Sequence, residues 1–177
     1  MARPGRNASP YEILRPTRTF FATTKTDAGR RLLQSERNAE LFMDVLRTLV
    51  AERVIQVHDF VVMPDHAHLL ITIGIGMTVE KAMQLIKGRF SYRLKKEYGY
   101  LGEVWQRGFS EVQIMNSQSL EKHRVYIAMN PVKAGLATAP GEYPFCYESQ
   151  VMKKVSQRQR AIEQVPALAG AEAQIKG

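Results

Sequence analysis

The apolar positions along the chain follow two different periods, which divide it into predicted strands and helices. Residues 18–24 combine aromatic and β-branched side chains, which predicts a first strand. Residues 35–53 place apolar side chains three or four positions apart, which predicts a helix with one buried stripe. Two apolar runs follow, residues 53–63 and 66–73, and because a Pro-Asp pair interrupts them, they predict two strands.

The second half of the chain repeats this alternation. Thr78 is the expected N-cap of a second helix, whose apolar positions recur on one face as far as Leu94. Residues 104–114 predict a fourth strand, in which Gly108 marks a bulge. Residues 117–130 predict a last helix.

The order strand, helix, strand, strand, helix, strand is that of the ferredoxin-like βαββαβ fold. We therefore expect an α+β protein with an antiparallel sheet, helices on one face of it and a C-terminal helix in addition. A chain of 177 residues suits a single domain. We expect its core over about residues 11–148, and a basic, Ala-rich tail over residues 149–177 that is disordered or a loosely attached helix.

Charge and cysteine content narrow the possible partners and compartments. The formal net charge of +8 favours a polyanionic partner, and the lack of a long apolar segment favours nucleic acid over membrane. The single cysteine, Cys146, excludes an internal disulfide and fits the reducing cytoplasm. The basic amino terminus has no apolar h-region, so we expect no secretory signal.

Two histidines stand one residue apart at the start of the third predicted strand. Side chains alternate across a strand, so His66 and His68 point to one face with their Cα atoms about 6.5 Å apart. Both imidazoles can then reach one metal ion at a solvent-facing end of the strand. The alternative is that they are ordinary polar residues on the solvent-exposed face of an antiparallel sheet and bind no metal. Ala67, Leu69 and Ile71 take the other face, toward the core.

The last predicted helix carries Tyr126 and Asn130 four residues apart. We expect Ser117 or Ser119 to cap this helix and Pro131 to stop it. Residues four apart project from the same face of a helix, so the phenol and the carboxamide can both approach a metal ion bound by the two histidines. Taken alone, the two residues are explained better by a buried tyrosine and a C-capping asparagine.

The second predicted helix is rich in cations. Between residues 80 and 97, six Lys and Arg residues stand against two Glu residues, which favours a nucleic-acid surface over an ordinary solvated face. The predicted DNA-binding residues are Lys87, Arg89, Arg93, Lys95, Lys96 and Arg107.

Three motifs, in this order, resemble a known family. They are His66-Ala67-His68 in an apolar strand, then Trp105-Gln106-Arg107-Gly108, and then Tyr126-Ile127-Ala128-Met129-Asn130-Pro131-Val132-Lys133-Ala134-Gly135-Leu136. Together they resemble the single-tyrosine HUH transposases, and most closely the REP-associated tyrosine transposases. The similarity extends over roughly residues 11–148.

The resemblance implies a role for each matching residue. His66 and His68 match the metal-binding pair of the family, Tyr126 its nucleophile and Asn130 its further polar ligand. Because these ligands leave positions for phosphate and water oxygens, we expect Mg²⁺ or Mn²⁺. The implied activity is cleavage and transfer of single-stranded DNA near REP-type hairpins through a covalent 5′-phosphotyrosine. The implied protein is a cytoplasmic, nucleoid-associated monomer or homodimer with no membrane partner.

Two positions depart from the pattern of the family. Residues 109–112 stand where members often have an aromatic-Asp-His segment, and Ala128 stands where they commonly have His. We expect the core chemistry to survive and the target preference to differ. Outside the motifs, we expect Trp105 in the core and His123 as an ordinary surface residue.

Two other functional classes stay open. A non-catalytic nucleic-acid-binding module of the same ferredoxin-like fold would need aromatic side chains exposed on the sheet, where the strand segments offer only Phe109. A two-histidine phosphoesterase would need a second His-x-Ser/Thr strand, which His58-Asp59-Phe60 does not supply.

Overall fold

The alternating and amphipathic segments form four strands and four long helices within residues 17–164, the part of the chain that this computed structural model describes. The expectations for residues 1–16 and 165–177 lie outside it. The elements are β1 (Thr17–Lys25), α1 (Glu36–Ala51), β2 (Ile55–Val62), β3 (His66–Gly74), α2 (Val79–Tyr98), β4 (Ser110–Ile114), α3 (Ser117–Lys133) and α4 (Tyr147–Gln164).

The strands form one antiparallel sheet in the order β2-β3-β1-β4. This order confirms the predicted ferredoxin-like α+β fold. β1 and β3 are the inner strands, and their register places Thr23 opposite His68 and Lys25 opposite His66. The histidine pair therefore begins an inner strand of the sheet.

One face of the sheet packs against α1 and α2. Leu69 and Ile71 of β3 project into this first core and are fully buried, as their alternation predicted. Phe42 of α1 meets Phe90 of α2 edge to face, with ring centroids 5.5 Å apart. Trp105 packs beside both rings, at 5.8 and 5.3 Å, which confirms its predicted place in the core.

α3 covers part of the opposite face of the sheet. Ile127 of α3 packs with Leu70 of β3 and Val61 of β2 in a second apolar cluster, to which Tyr143 also belongs. His68 lies on the same face and is only 5% exposed. The expectation of a solvent-facing histidine pair is therefore wrong for His68, because the rings of β1 and α3 lie over it.

The fourth strand is shorter than predicted, and the first turn of α3 is capped differently. Gly108 has a φ of 75° and turns the chain before β4, so only Ser110–Ile114 pairs with β1. At α3, the Ser119 amide donates to the Asn116 side chain at 2.8 Å. Asn116 is therefore the N-cap, and the two serines predicted for this role lie inside the helix.

Pro131 does not stop α3, which continues to Lys133. A proline removes one backbone donor, and this close to the end of a helix the loss affects only the last turn. The helix is terminated instead by a turn at Gly135, whose φ of 70° lets the Leu136 amide donate to the Pro131 carbonyl at 2.8 Å.

α3 is also not the last helix, because α4 follows it. Tyr147, at the start of α4, packs against the first core, whereas residues 151–161 are all exposed. The tail thus contains a helix attached mainly at its beginning. None of the helices within residues 17–164 is long and apolar enough to cross a membrane.

The first core gives a stability prediction. We expect Phe42→Ala to lower the free energy of unfolding by about 3 to 5 kcal/mol, because it leaves a cavity beside Phe90 and Trp105. Val50→Ala on the same helix, where the side chain is 42% exposed, should change it by less than about 0.5 kcal/mol. Urea denaturation measures both, and equal losses would contradict this packing.

Candidate active site

His66 and His68 lie side by side at the start of β3, on the face that α3 covers. Their ring centroids are 4.8 Å apart. The side chain of His66 is 23% exposed, whereas His68 is 5% exposed. His66 therefore lies at the mouth of the site and His68 at its floor.

The Nδ1 atom of each histidine is held by a neighbouring side chain. Nδ1 of His66 lies 2.6 Å from Oδ1 of Asp65, and Nδ1 of His68 lies 2.8 Å from Oγ1 of Thr23. The carboxylate only accepts, so Nδ1 of His66 donates, and the hydroxyl of Thr23 can accept from His68 in the same way. In that tautomer, Nε2 of each ring would hold the lone pair that a metal-binding imidazole requires.

His68 is electrically neutral at pH 7. Burial, together with the electrostatic effects of His66 and Lys25, lowers its pKa to about 4, although a hydrogen bond with the Asn130 side chain acts in the opposite direction. A neutral imidazole is the form that ligates a metal. The floor of the site is therefore ready to bind a cation without first losing a proton.

Tyr126 of α3 faces His68 across the site. The ring centroids are 5.2 Å apart and the planes meet at 73°. Tyr126 is 43% exposed, so its ring reaches solvent. One turn further along α3, Nδ2 of Asn130 donates to the Tyr126 carbonyl at 3.1 Å. The fold thus brings the phenol, the carboxamide and both imidazoles together from segments far apart in the sequence.

These donors fit a divalent cation that completes its coordination with outside ligands. They supply two imidazole nitrogens and, from Asn130, an amide oxygen, because its NH₂ group is used on the Tyr126 carbonyl. Within residues 17–164 there is no group of three or more His, Cys, Asp or Glu residues that could hold a metal ion. A cation here would need oxygens from phosphate and water, which Mg²⁺ and Mn²⁺ prefer.

Phe21 of β1 packs against three rings of the site, and no sequence motif pointed to it. Its ring centroid lies 5.4 Å from that of His68, 5.7 Å from Tyr126 and 4.7 Å from His123. His123 is therefore a half-buried member of this aromatic cluster and not an ordinary surface residue. The cluster joins β1, β3 and α3, so sequence spacing carries no signal for it.

Of the two residues that orient the histidines, the sequence pointed to Asp65 but not to Thr23. Asp65 directly precedes His66, so its adjacency was a usable signal. Thr23 lies on another strand and reaches His68 only through the β1–β3 register, which no local pattern specifies.

Three of the six predicted DNA-binding residues are bound within the protein. Their contacts are Arg93 with Asp44 and Glu97, Arg89 with Glu52, and Lys87 with the carbonyls of Gln106 and Gly108. Lys95, Lys96 and Arg107 are exposed and form no ion pair with a carboxylate inside the described range. α2 packs on the face of the sheet opposite the histidine pair.

Comparison with known proteins supports the same identification. The sequence profile of the family described as "Transposase IS200 like" matches residues 23–130. The chain is 30% identical over 132 residues to the REP-associated tyrosine transposase of Escherichia coli strain K12, covering 71% of this chain and 73% of that protein. A solved structure of a REP-associated tyrosine transposase bound to a REP hairpin is 24% identical, with a TM-score of 0.68 and 87% of each chain covered, and at this identity it establishes the fold. The chain therefore belongs to the IS200-like transposase family, and within it to the REP-associated tyrosine transposases.

Proposed function

We propose that this chain cleaves and transfers single-stranded DNA next to a hairpin, with Tyr126 as nucleophile and a divalent cation held by His66, His68 and Asn130. Membership of a transposase family implies endonuclease or strand-transfer chemistry on nucleic acid. The proposed roles of Tyr126 and the histidines rest on one observation: the centroids of the Tyr126 and His68 rings lie 5.2 Å apart. A nucleophile and a metal-ligating residue in contact can act on the same phosphate.

The proposed step is an exchange of phosphoester bonds. The hydroxyl oxygen of Tyr126 attacks the phosphorus and forms a new O–P bond, while the bond to the 3′ oxygen breaks. The phenol loses its proton to water, and the departing 3′ oxygen gains one. The products are a 5′-phosphotyrosine and a free 3′-hydroxyl. Because the number of phosphoester bonds is unchanged, the hydroxyl of a second strand can reverse the step without ATP.

The residues around Tyr126 have separable roles in this proposal. A bound Mg²⁺ or Mn²⁺ would supply the positive charge that polarises the scissile phosphate. Asp65 and Thr23 keep the two imidazoles oriented through their Nδ1 atoms. Asn130 is hydrogen-bonded to the backbone of Tyr126, which ties a proposed ligand to the residue that attacks. Hydrogen bonds therefore hold the floor of the site, and its mouth is exposed to solvent.

A hairpin as the recognised DNA form is supported by the solved relative, which is a REP-associated tyrosine transposase bound to a REP hairpin. We propose that Lys95, Lys96 and Arg107 contact the stem, since these predicted residues have no carboxylate partner among residues 17–164. α2 and the proposed cleavage site lie on opposite faces of the sheet. A single strand leaving the stem must therefore pass around the sheet to reach Tyr126.

The non-catalytic binding module has less support. It would read bases on a sheet surface that exposes aromatic side chains. Here Phe109 packs against the first core, and Phe21 is enclosed by the rings of the proposed active site. α1 and α2 occupy one face of the sheet and α3 part of the other.

The nucleophile is tested by Tyr126→Phe, which removes one oxygen and keeps the packed ring. We expect this variant to bind hairpin DNA like the parent, and to yield neither free 3′-hydroxyl ends nor a protein–DNA adduct that survives denaturant. Labelled single-stranded hairpins with Mn²⁺ and denaturing gels measure both products. Tyr98→Phe at the end of α2, where the tyrosine is 38% exposed, is the matched control and should cut normally.

Each other outcome of this experiment has a definite meaning. If Tyr126→Phe still cuts, water is the nucleophile and the chain is a metal-dependent nuclease. If the parent also fails to cut any hairpin with Mg²⁺ or Mn²⁺, the binding module is the better account.

The metal site is tested by substitution of the two histidines. We expect His66→Ala to lower metal-dependent cleavage more than about 100-fold without unfolding the protein. Loss of a residue that only orients a metal ligand costs up to about 100-fold, and loss of a ligand should cost more. His68→Ala should lower it as far and also cost about 1 kcal/mol of stability, because the ring contacts Phe21 and Tyr126. His58→Ala on β2 is the control, and parental cleavage by His66→Ala would refute the proposed metal site.

The stem contacts are tested by the salt dependence of hairpin binding. We expect the triple variant of Lys95, Lys96 and Arg107 to Ala to lower the slope of log K against log salt by about 0.9 for each phosphate that the protein no longer neutralises. Arg89→Ala should leave the slope near the parental value, because Arg89 is paired with Glu52 at 2.8 Å. Fluorescence anisotropy measures both slopes. A larger change of slope for Arg89→Ala than for the triple variant would indicate that the paired arginines contact the stem.

A further inference from the structure

A lysine from β1 lies next to the metal-binding histidines. Phe21 and Thr23 of β1 both contact His68, so this side of β1 faces the site. Lys25 is two residues further along the same strand and therefore points the same way. The β1–β3 register sets it directly opposite His66.

A second lysine stands next to the nucleophile. Lys133 follows Tyr126 by seven residues, which is two turns of α3 and so the same helix face. Its Nζ lies 5.9 Å from the centroid of the Tyr126 ring. The two lysines thus flank the site, Lys25 beside the histidines and Lys133 beside the tyrosine.

Neither lysine is neutralised within the described part of the chain. Both are exposed, and neither forms an ion pair with a carboxylate there. The carboxylate nearest in sequence to the histidines, Asp65, is held by Nδ1 of His66. Arg89 and Arg93 on α2, by contrast, are paired with acidic residues. Unpaired ammonium groups beside a site for phosphate chemistry are suited to bind a DNA backbone.

We propose that Lys25 and Lys133 bind the phosphates of the single strand on either side of the scissile phosphate, Lys25 on the histidine side and Lys133 on the tyrosine side. This inference rests on the proposed function, because it takes Tyr126 and the histidines as the position of the scissile phosphate. It assigns the strand contacts near the cleavage site to β1 and α3, separately from the stem contacts on α2. The partner is recognised by backbone charge, so base sequence should not alter these two contacts.

The experiment measures binding apart from cleavage. In a Tyr126→Phe background, Lys25→Met and Lys133→Met are titrated with a fluorescein-labelled oligothymidine that forms no hairpin. Each change should reduce the slope of log K against log salt by about 0.7, and the double variant by about 1.4. The same slope corresponds to about fivefold weaker binding at about 0.1 M salt for each lysine.

The controls separate a phosphate contact from a structural role. Lys25→Arg and Lys133→Arg keep the charge and should keep the parental slope. Lys81→Met removes an exposed lysine from α2, on the opposite face, and should also leave the slope unchanged. With Tyr126 present, Lys133→Met should raise KM for a cleavable strand more than it lowers kcat, because a flanking contact is made before and during the reaction.

The outcomes distinguish this inference from the proposed function. If both Met variants keep the parental slope while the Tyr126 protein cuts DNA, the lysine contacts are refuted and the transposase chemistry stands. If the slopes fall as expected but the protein with Tyr126 never cuts, the lysines bind DNA and the proposed reaction is wrong. Failure of the parent to bind oligothymidine at any salt concentration also refutes the lysine contacts.

Discussion

The packing of Ile127 against Leu70 and Val61 is the contact on which the arrangement of the site depends. It is the place where α3, which carries the tyrosine, is held against the sheet, which carries the histidines. Ile127 is next to Tyr126 in the chain, and Leu70 is two residues from His68 on the same strand face. A small shift of this apolar contact would therefore change the distance between the proposed nucleophile and the proposed metal ligand directly, because both belong to packed secondary-structure elements.

β3 can support this contact because it is buried on both faces. Leu69 and Ile71 enter the core beneath α1 and α2, while His68 and Leu70 are covered by α3 and by the Phe21 side chain. A polar group so deep in the protein is stable only when it is hydrogen-bonded, and Thr23 provides the partner of His68. Burial keeps His68 neutral and leaves His66 as the exposed member of the pair. Exposure therefore increases from His68 toward His66 and Tyr126, the direction from which a strand would enter.

The charge of the protein is distributed in a way that a count of residues does not reveal. The cations of α2 look like one basic surface in the sequence, yet Arg89 and Arg93 bind acidic residues near them and help to join α2 to α1. Lys25 and Lys133 do not belong to a basic cluster in the sequence, because each stands apart from other basic residues. In the fold they come to opposite sides of one site, and neither has a carboxylate partner within the described residues. Which cations are free to bind DNA depends on their neighbours in space.

Local periodicity by itself determined the first three strands, α1, α2, most of α3 and the placement of each pair of site residues on one face. His66 with His68, and Tyr126 with Asn130, were predictable because the periods of strand and helix are properties of neighbouring residues. The order of the elements and the Tyr-x-x-x-Asn-Pro motif also sufficed for the fold class and the family. Only the tertiary structure decided which faces meet, since the β1–β3 register and the docking of α3 join residues far apart in the chain. For this reason Thr23, Phe21 and Lys25 were not predictable, and the end of α3 beyond Pro131 was mispredicted because the turn at Gly135, and not the proline, terminates it.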